Sequence, residues 1–187
     1  MNKRSVWMPL LLICCLVTSS CGPTRGKQVK ILKQIIPEVK QFVEDNGEFF
    51  RILLEIKEKI CEINEQKAEE MGEYLAITLY HIGIYNGNIE FNTYGYDKDL
   101  RYQFSPLSND ERICISETMF DVYMSNDRSS VSIKQDEINF SFARSMNTEL
   151  IIHNPVWEIE DPGEYFGQFQ FTIEVNDDWC ILFFNST

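Results

Sequence analysis

Asn86-Gly87 is the tightest constraint on this chain. A two-residue type I′ turn needs positive φ at both central positions, and Asn-Gly is the pair that best meets that need. Apolar and β-favouring residues run from 74 to 85 on one side of it, and Ile89, Phe91 and Tyr94 follow on the other. The chain is therefore predicted to double back as a β-hairpin. In that register Ile84 faces Ile89 and Ile82 faces Phe91 on one surface, while His81, Tyr85, Glu90 and Asn92 share the opposite one. Farther from the turn Leu75, Ile77 and Leu79 make the second surface apolar too, which predicts that a helix covers that end.

Before the hairpin the period changes from two to 3.6. Val29, Leu32, Ile35, Val39 and Val43 fall on one helical face, with Pro37 predicted to kink the helix or split it in two, because proline removes a backbone donor. After Asp45-Asn46-Gly47, residues Phe49, Leu53, Ile56, Ile60 and Ile63 form a cleaner stripe. It spans about two heptads, too few for a coiled coil, so it is predicted to pack on the chain's own sheet rather than on a partner helix. Beyond the hairpin Leu100, Tyr102 and Phe104 alternate with polar residues. Ser108-Asn109-Asp110-Glu111 then has the form of a capping box opening a helix to about Met124, with Ile113, Phe120 and Met124 as its apolar positions. A strand through Arg112 to Ser116 competes there, since Ile-Cys-Ile suits either structure. From Ser130 onward the pattern is strands: Val131 to Lys134, Ile138 to Ala143, Glu149 to His153, Gly167 to Val175 and Trp179 to Phe184, with turns at Gln135-Asp136 and Asn176-Asp177-Asp178. The short gaps favour antiparallel pairing. The expected fold class is α+β, with amino-terminal helices packed on a mostly antiparallel β-sheet, as a single globular domain over residues 28–187.

The amino terminus carries a different signal. Lys3 and Arg4 precede an apolar run of twelve residues from Val6 to Val17, whereas a membrane-crossing helix needs roughly twenty. The run is followed by Thr18-Ser19-Ser20-Cys21. This layout of an export signal ending in a cysteine resembles the bacterial lipobox, although Thr18 stands where that pattern usually has Leu. The resemblance implies a signal peptide over residues 1–20, a diacylglycerol on the Cys21 sulfur, acyl chains such as palmitate at the new amino terminus, and a tether over 21–27. The bilayer is then a partner, and the domain lies in the cell envelope outside the cytoplasm. Gly22 after Cys21 would permit passage to an outer membrane where one exists. A soluble secreted protein is the alternative reading. The six residues from Gly22 to Lys27 reach at most about 20 Å, which would keep the domain close to the membrane.

Charge narrows the partners. The formal net charge is −12, and all 29 acidic residues lie after the export segment. Phosphate backbones need a basic stripe, so nucleic acid is excluded as a partner. Arg25, Lys27, Lys30, Lys33 and Lys40 face only Glu38 across residues 21–40. Such a segment beside a lipid anchor is attracted to an anionic bilayer, while the acidic remainder is repelled; a basic, solvated helix face is the alternative. With Cys14 and Cys15 in the signal and Cys21 lipidated, Cys61, Cys114 and Cys180 are expected as thiols. A Cys114–Cys180 disulfide is the alternative that an oxidising envelope permits.

Recognisable catalytic signatures are absent: no Gly-x-Ser-x-Gly, no His-Glu-x-x-His, no phosphate-binding glycine loop and no Cys-x-x-Cys. The chain has two histidines. His81, His153, Cys114 and Cys180 are zinc-competent side chains, but no pair has close ligand spacing, so neither metal nor cofactor is expected. His81 beside Glu90 is a candidate pH-sensitive pair against a plain solvated sheet face. Glu158, Glu160 and Asp161, and Asp177-Asp178, fit turns better than a calcium loop. Tyr94, Tyr96 and Tyr102, clustered with Phe104 beside Gly95, are the candidate ligand-binding residues, since exposed rings stack on sugars or peptides; completing the sheet's core is the commoner fate of such residues. The expected function is a non-catalytic binding or interaction domain for a protein or small ligand. An envelope hydrolase with a site assembled from dispersed residues is the alternative.

Overall fold

The structure, a computed structural model, describes residues 37–72, 75–126, 129–145, 148–155 and 169–185. The predicted export signal, Cys21 and most of the basic stretch after it lie outside the described residues, as do Glu158, Glu160 and Asp161. Asn86 at φ 50° and Gly87 at φ 77° reverse the chain between β1 (Leu79–Tyr85) and β2 (Asn88–Tyr94). Tyr85 pairs with Asn88, Ile84 with Ile89 and Ile82 with Phe91, the register that the turn dictates. At the other end of the hairpin Gly95 is required by a close approach. A Cβ there would stand 2.0 Å from the Ala76 carbonyl oxygen, which also accepts the Asp97 N–H at 3.4 Å.

Five more strands complete the sheet: β3 (Ser130–Ile133), β4 (Glu137–Ser145), β5 (Thr148–Pro155), β6 (Phe169–Glu174) and β7 (Cys180–Asn185). Their order is β2-β1-β3-β4-β5-β7-β6, and every neighbouring pair is antiparallel. Gln135-Asp136 makes the β3–β4 turn, closed by the Lys134 N–H on the Glu137 carbonyl at 2.8 Å. The Asn176 side chain caps the turn before β7 by accepting from the N–H groups of Asp178 and Trp179. The fold is α+β, as the alternation of patterns along the chain implies.

Among the described residues, four helical segments accompany the sheet. Residues 37–45 form α1, and α2 follows as Gly47–Met71. The break between them is one residue, Asn46, across which Asn46 N–H bonds Phe42 O and Phe50 N–H bonds Asn46 O. What precedes Pro37 lies outside the described residues, so the predicted kink there falls at their edge. The α2 stripe is where the sequence puts it: Phe49, Leu53, Ile56 and Ile60 are buried and Ile63 is half-buried. Leu100, Tyr102 and Phe104 do not form a strand. Asp97 caps a short helix, α3 (Lys98–Gln103), by accepting the Leu100 N–H at 3.0 Å, and a local cap outweighs a three-residue alternation.

The capping box is present: Ser108 N–H donates to Glu111 Oε2 at 2.6 Å and Glu111 N–H to Ser108 Oγ at 3.4 Å, opening α4 (Asn109–Asn126). Residues 112–116 are helical, so the competing strand is excluded. The face differs from the one expected, because Ile113 and Met124 are exposed and Ile115, Thr118, Met119 and Val122 are buried. That set is an i, i+3, i+4, i+7 stripe whose second member is polar.

The helices cover one side of the sheet. Tyr80, Ile82, Val131, Ile133, Ile138, Phe140, Ile152 and Ile181 point into them and belong to one contiguous core. The α1–α2 junction is packed by aromatic rings: Phe50 lies 4.9 Å from Trp179 and 5.1 Å from Phe49, which in turn lies 5.3 Å from Phe140. Of the three residues expected under a helix at the base of the hairpin, Ile77 is buried, Leu79 half-buried and Leu75 exposed.

Candidate functional site

The sheet's other side is built by strand alternation, and the registers align one residue from every strand into a single row. Asn92 pairs with His81, His81 with Ser132, Ser132 with Asn139, Asn139 with His153, His153 with Cys180 and Cys180 with Glu174. Both histidines of the chain thus lie on one face in one line. His81 and Ser132, like Asn139 and His153, occupy non-hydrogen-bonded positions of their ladders, where side chains approach most closely. His153 Nδ1 accordingly sits 2.6 Å from Asn139 Oδ1, within hydrogen-bond reach. His81 Nδ1 is 3.3 Å from Ser132 Oγ, and its Nε2 is 2.8 Å from the Tyr85 hydroxyl.

Gly83 makes the Tyr85 contact available. The Tyr85 ring folds across it toward His81, and a Cβ at 83 would stand 2.8 Å from Tyr85 Cε2 and 3.0 Å from His81 Nε2. His81 therefore engages Tyr85 and Ser132, not Glu90; Glu90 accepts from Asn92 Nδ2 at 3.4 Å. Burial lowers the pKa of His81. It lowers that of His153 as well, against an opposing pull from the Glu137 carboxylate. Both rings are held toward the neutral form.

A row with Ser-His and Cys-His neighbours invites a nucleophilic reading, and two physical facts argue against it. Burial pushes the Cys180 thiol up to about 11, so the sulfur stays protonated near neutrality. Backbone amides within a sheet are engaged in the ladder and are not free to stabilise an oxyanion. Nor is the four-ligand zinc set assembled, because Cys114 packs from α4 against the core on the helix side while His81, His153 and Cys180 occupy the opposite side. Among the described residues no three His, Cys, Asp or Glu side chains group as a metal site. Cys61, Cys114 and Cys180 stand outside any disulfide, and the sheet between the last two precludes their pairing.

A second surface lies where β2 runs into α3. Tyr94 is 47% exposed, Tyr96 72% and Tyr102 79%, which corrects the expectation that these rings complete the core; only Phe104 turns inward, edge-on to Tyr80 at 5.6 Å. The rings stand on fixed supports. The Tyr94 carbonyl accepts the Thr78 N–H at 2.9 Å, Asp97 caps the helix that carries Tyr102, and Arg101 stacks over the Tyr102 ring while donating to its hydroxyl at 2.7 Å.

One polar feature escaped the sequence. Lys57, Cys61 and Asn64 form an i, i+4, i+7 stripe on α2 that hydrogen-bonds the ends of the sheet. Lys57 Nζ donates to Asn154 Oδ1 at 2.6 Å, and Cys61 Sγ donates to the Gln135 carbonyl at 3.4 Å. Asn64 clamps Ile77, accepting its N–H and donating to its carbonyl, each at 2.9 Å. The available signal was an asparagine, a poor helix former, placed directly after the apolar stripe. Burial lowers the Lys57 pKa and raises that of Cys61, and both side chains are used in holding the helix to the sheet.

These features define an antiparallel α+β domain with a histidine row on one face and a tyrosine corner at one end. No family model, curated protein or solved structure matches the chain.

Proposed function

We propose that this chain is a bacterial envelope lipoprotein, anchored through acylated Cys21, whose acidic body binds a ligand without chemical turnover and meets it at Tyr94, Tyr96 and Tyr102. The export-type amino terminus ending in Cys21 supports the anchor. The observation that carries the binding reading is the exposure of all three rings, with the backbone at Tyr94 and the helix that carries Tyr102 held by hydrogen bonds. A folding chain gains from burying such area, and tyrosine left in water presents a large apolar face with a polar tip at low entropic cost. Rings of this kind stack on the C–H faces of sugars and on peptide side chains. Burial of the Cys180 thiol, which keeps the sulfur protonated, weighs against a cysteine nucleophile.

The test replaces Tyr94, Tyr96 and Tyr102 together by Ser in the full chain and probes wild type and variant on arrays of bacterial cell-wall glycans and of peptides. Wild-type binding that falls roughly tenfold or more in the variant, as expected for loss of aromatic anchors, with an unchanged melting temperature, supports the reading. Equal binding by the two proteins rejects the corner as the site. A collapsed thermal transition would show the rings to be structural.

A further inference from the structure

Among the described residues, the edge of the sheet at β2 has no protective device. β2 is the terminal strand, and over Asn88–Tyr94 it contains no proline and no lysine, its one charge being Glu90. Its pairing with β1 is continuous, without a bulge. Proteins that keep such edges single blunt them with those devices.

The register also says which backbone groups are presented. In a two-residue hairpin the residues flanking the turn, Tyr85 and Asn88, form a hydrogen-bonded pair, and such pairs alternate along the ladder. Ile89, Phe91 and Thr93 therefore aim their N–H and C=O groups away from β1. Among the described residues no strand receives them. Ile89 and Phe91 are also only partly covered by the core they pack against.

We infer that β2 pairs with β2 of a second copy of this chain, antiparallel about a twofold axis at Phe91, extending the sheet across the dimer. The sequence is self-complementary in that register. Phe91 meets Phe91 of the other copy, and each Ile89 meets a Thr93, so every outward backbone group finds its counterpart while the half-covered apolar side chains close on one another. On the opposite face each Glu90 falls across from an Asn92, a carboxylate against an amide donor, and the one charge of the strand never faces itself. A one-residue slip would move Ile89 and Phe91 to the polar face. Both copies carry net charge −12, so self-pairing strengthens as salt screens their repulsion, whereas a basic foreign strand would bind more weakly in salt.

The test uses the full chain in detergent, with Cys61 and Cys114 replaced by Ser. Phe91→Cys places two sulfurs within bonding geometry across the axis, whereas Glu90→Cys sets them on a diagonal. Under mild oxidation the first is expected to give covalent dimer about tenfold faster than the second. Thr93→Pro removes an outward donor and leaves the β1–β2 ladder intact, and it is expected to weaken dimerisation in sedimentation roughly tenfold without lowering the monomer's melting temperature. Equal crosslinking at 90 and 91, a monomer at every concentration and salt level, or dimerisation indifferent to Thr93→Pro would overturn the inference. So would capture of a different envelope protein by Phe91→Cys in cells, which would assign the edge to a foreign strand.

Discussion

Single residues decide how this fold responds to acid and to small losses of polarity. His81 and His153 have pKa values lowered from 6.5 by burial, so each binds its proton more readily once unfolded. Stability is then complete above pH 6.5, the unfolded value, and is lost as pH falls through the folded values. The groups facing them do not reverse this direction: His81 meets the Tyr85 and Ser132 hydroxyls, while His153 feels Glu137, the Ile138 backbone and Asp136 against burial and Lys57. The melting temperature should therefore decline below pH 6.5, and the decline should shrink in His81→Asn and again in His81→Asn with His153→Gln. An unchanged slope in the double variant would refute a histidine origin. Asn64 is the other sensitive position. Asn64→Leu leaves the N–H and carbonyl of Ile77 buried without partners and should cost about 2–4 kcal/mol in urea unfolding; a cost within experimental error would mean that the clamp is dispensable.

At the level of elements, what could be foreseen was what neighbours in sequence determine. The hairpin, the α2 stripe and the Ser108 capping box each depend on a few consecutive residues, and each appears where those residues put it. The face of α4 did not follow from its apolar residues, because they are scattered around the helix and its buried stripe includes Thr118. Nor did α3, where a period-two pattern of three apolar positions yielded to the Asp97 cap. The histidine row was invisible for a different reason. It requires β1 to pair with β3 across a segment containing two helices, and His81 to fall in line with Ser132 rather than one residue off; no local signal specifies that alignment. The turn offers a direct check on the local contribution. Gly87→Ala forces a side chain onto φ 77° and should lower stability by about 1 kcal/mol, with hydrogen exchange accelerated in β1 and β2 before β4 and β5. Uniform acceleration across all strands would show that the hairpin does not open on its own.

For the whole molecule the charge is unevenly distributed along the chain. Five cations against one acid stand in residues 21–40 of a chain whose net charge is −12, so under the proposed anchor an anionic bilayer would attract this segment and repel the body. Attraction of about 1 kcal/mol per basic residue near the surface is cut by salt and by that repulsion, and by itself it gives weak, reversible binding. The described residues contain no helix long and apolar enough to cross a membrane. Two or three acyl chains, at about 0.8 kcal/mol per buried methylene, hold durably where one does not, so under the proposed anchor nearly all of the membrane affinity resides at Cys21. Cys21→Ser should therefore shift the protein from the membrane pellet to the soluble fraction. Because the substitution leaves the body untouched, the released protein should keep the wild-type melting temperature and its behaviour on the glycan and peptide arrays. Mass spectrometry of the native protein supplies the independent half of the test: a mature amino terminus at Cys21 carrying diacylglycerol and acyl mass is the expected result. An unmodified thiol there, or a Cys21→Ser protein that still pellets at high salt, would remove the anchor from the account while leaving the tyrosine corner and the β2 edge to be judged by their own experiments.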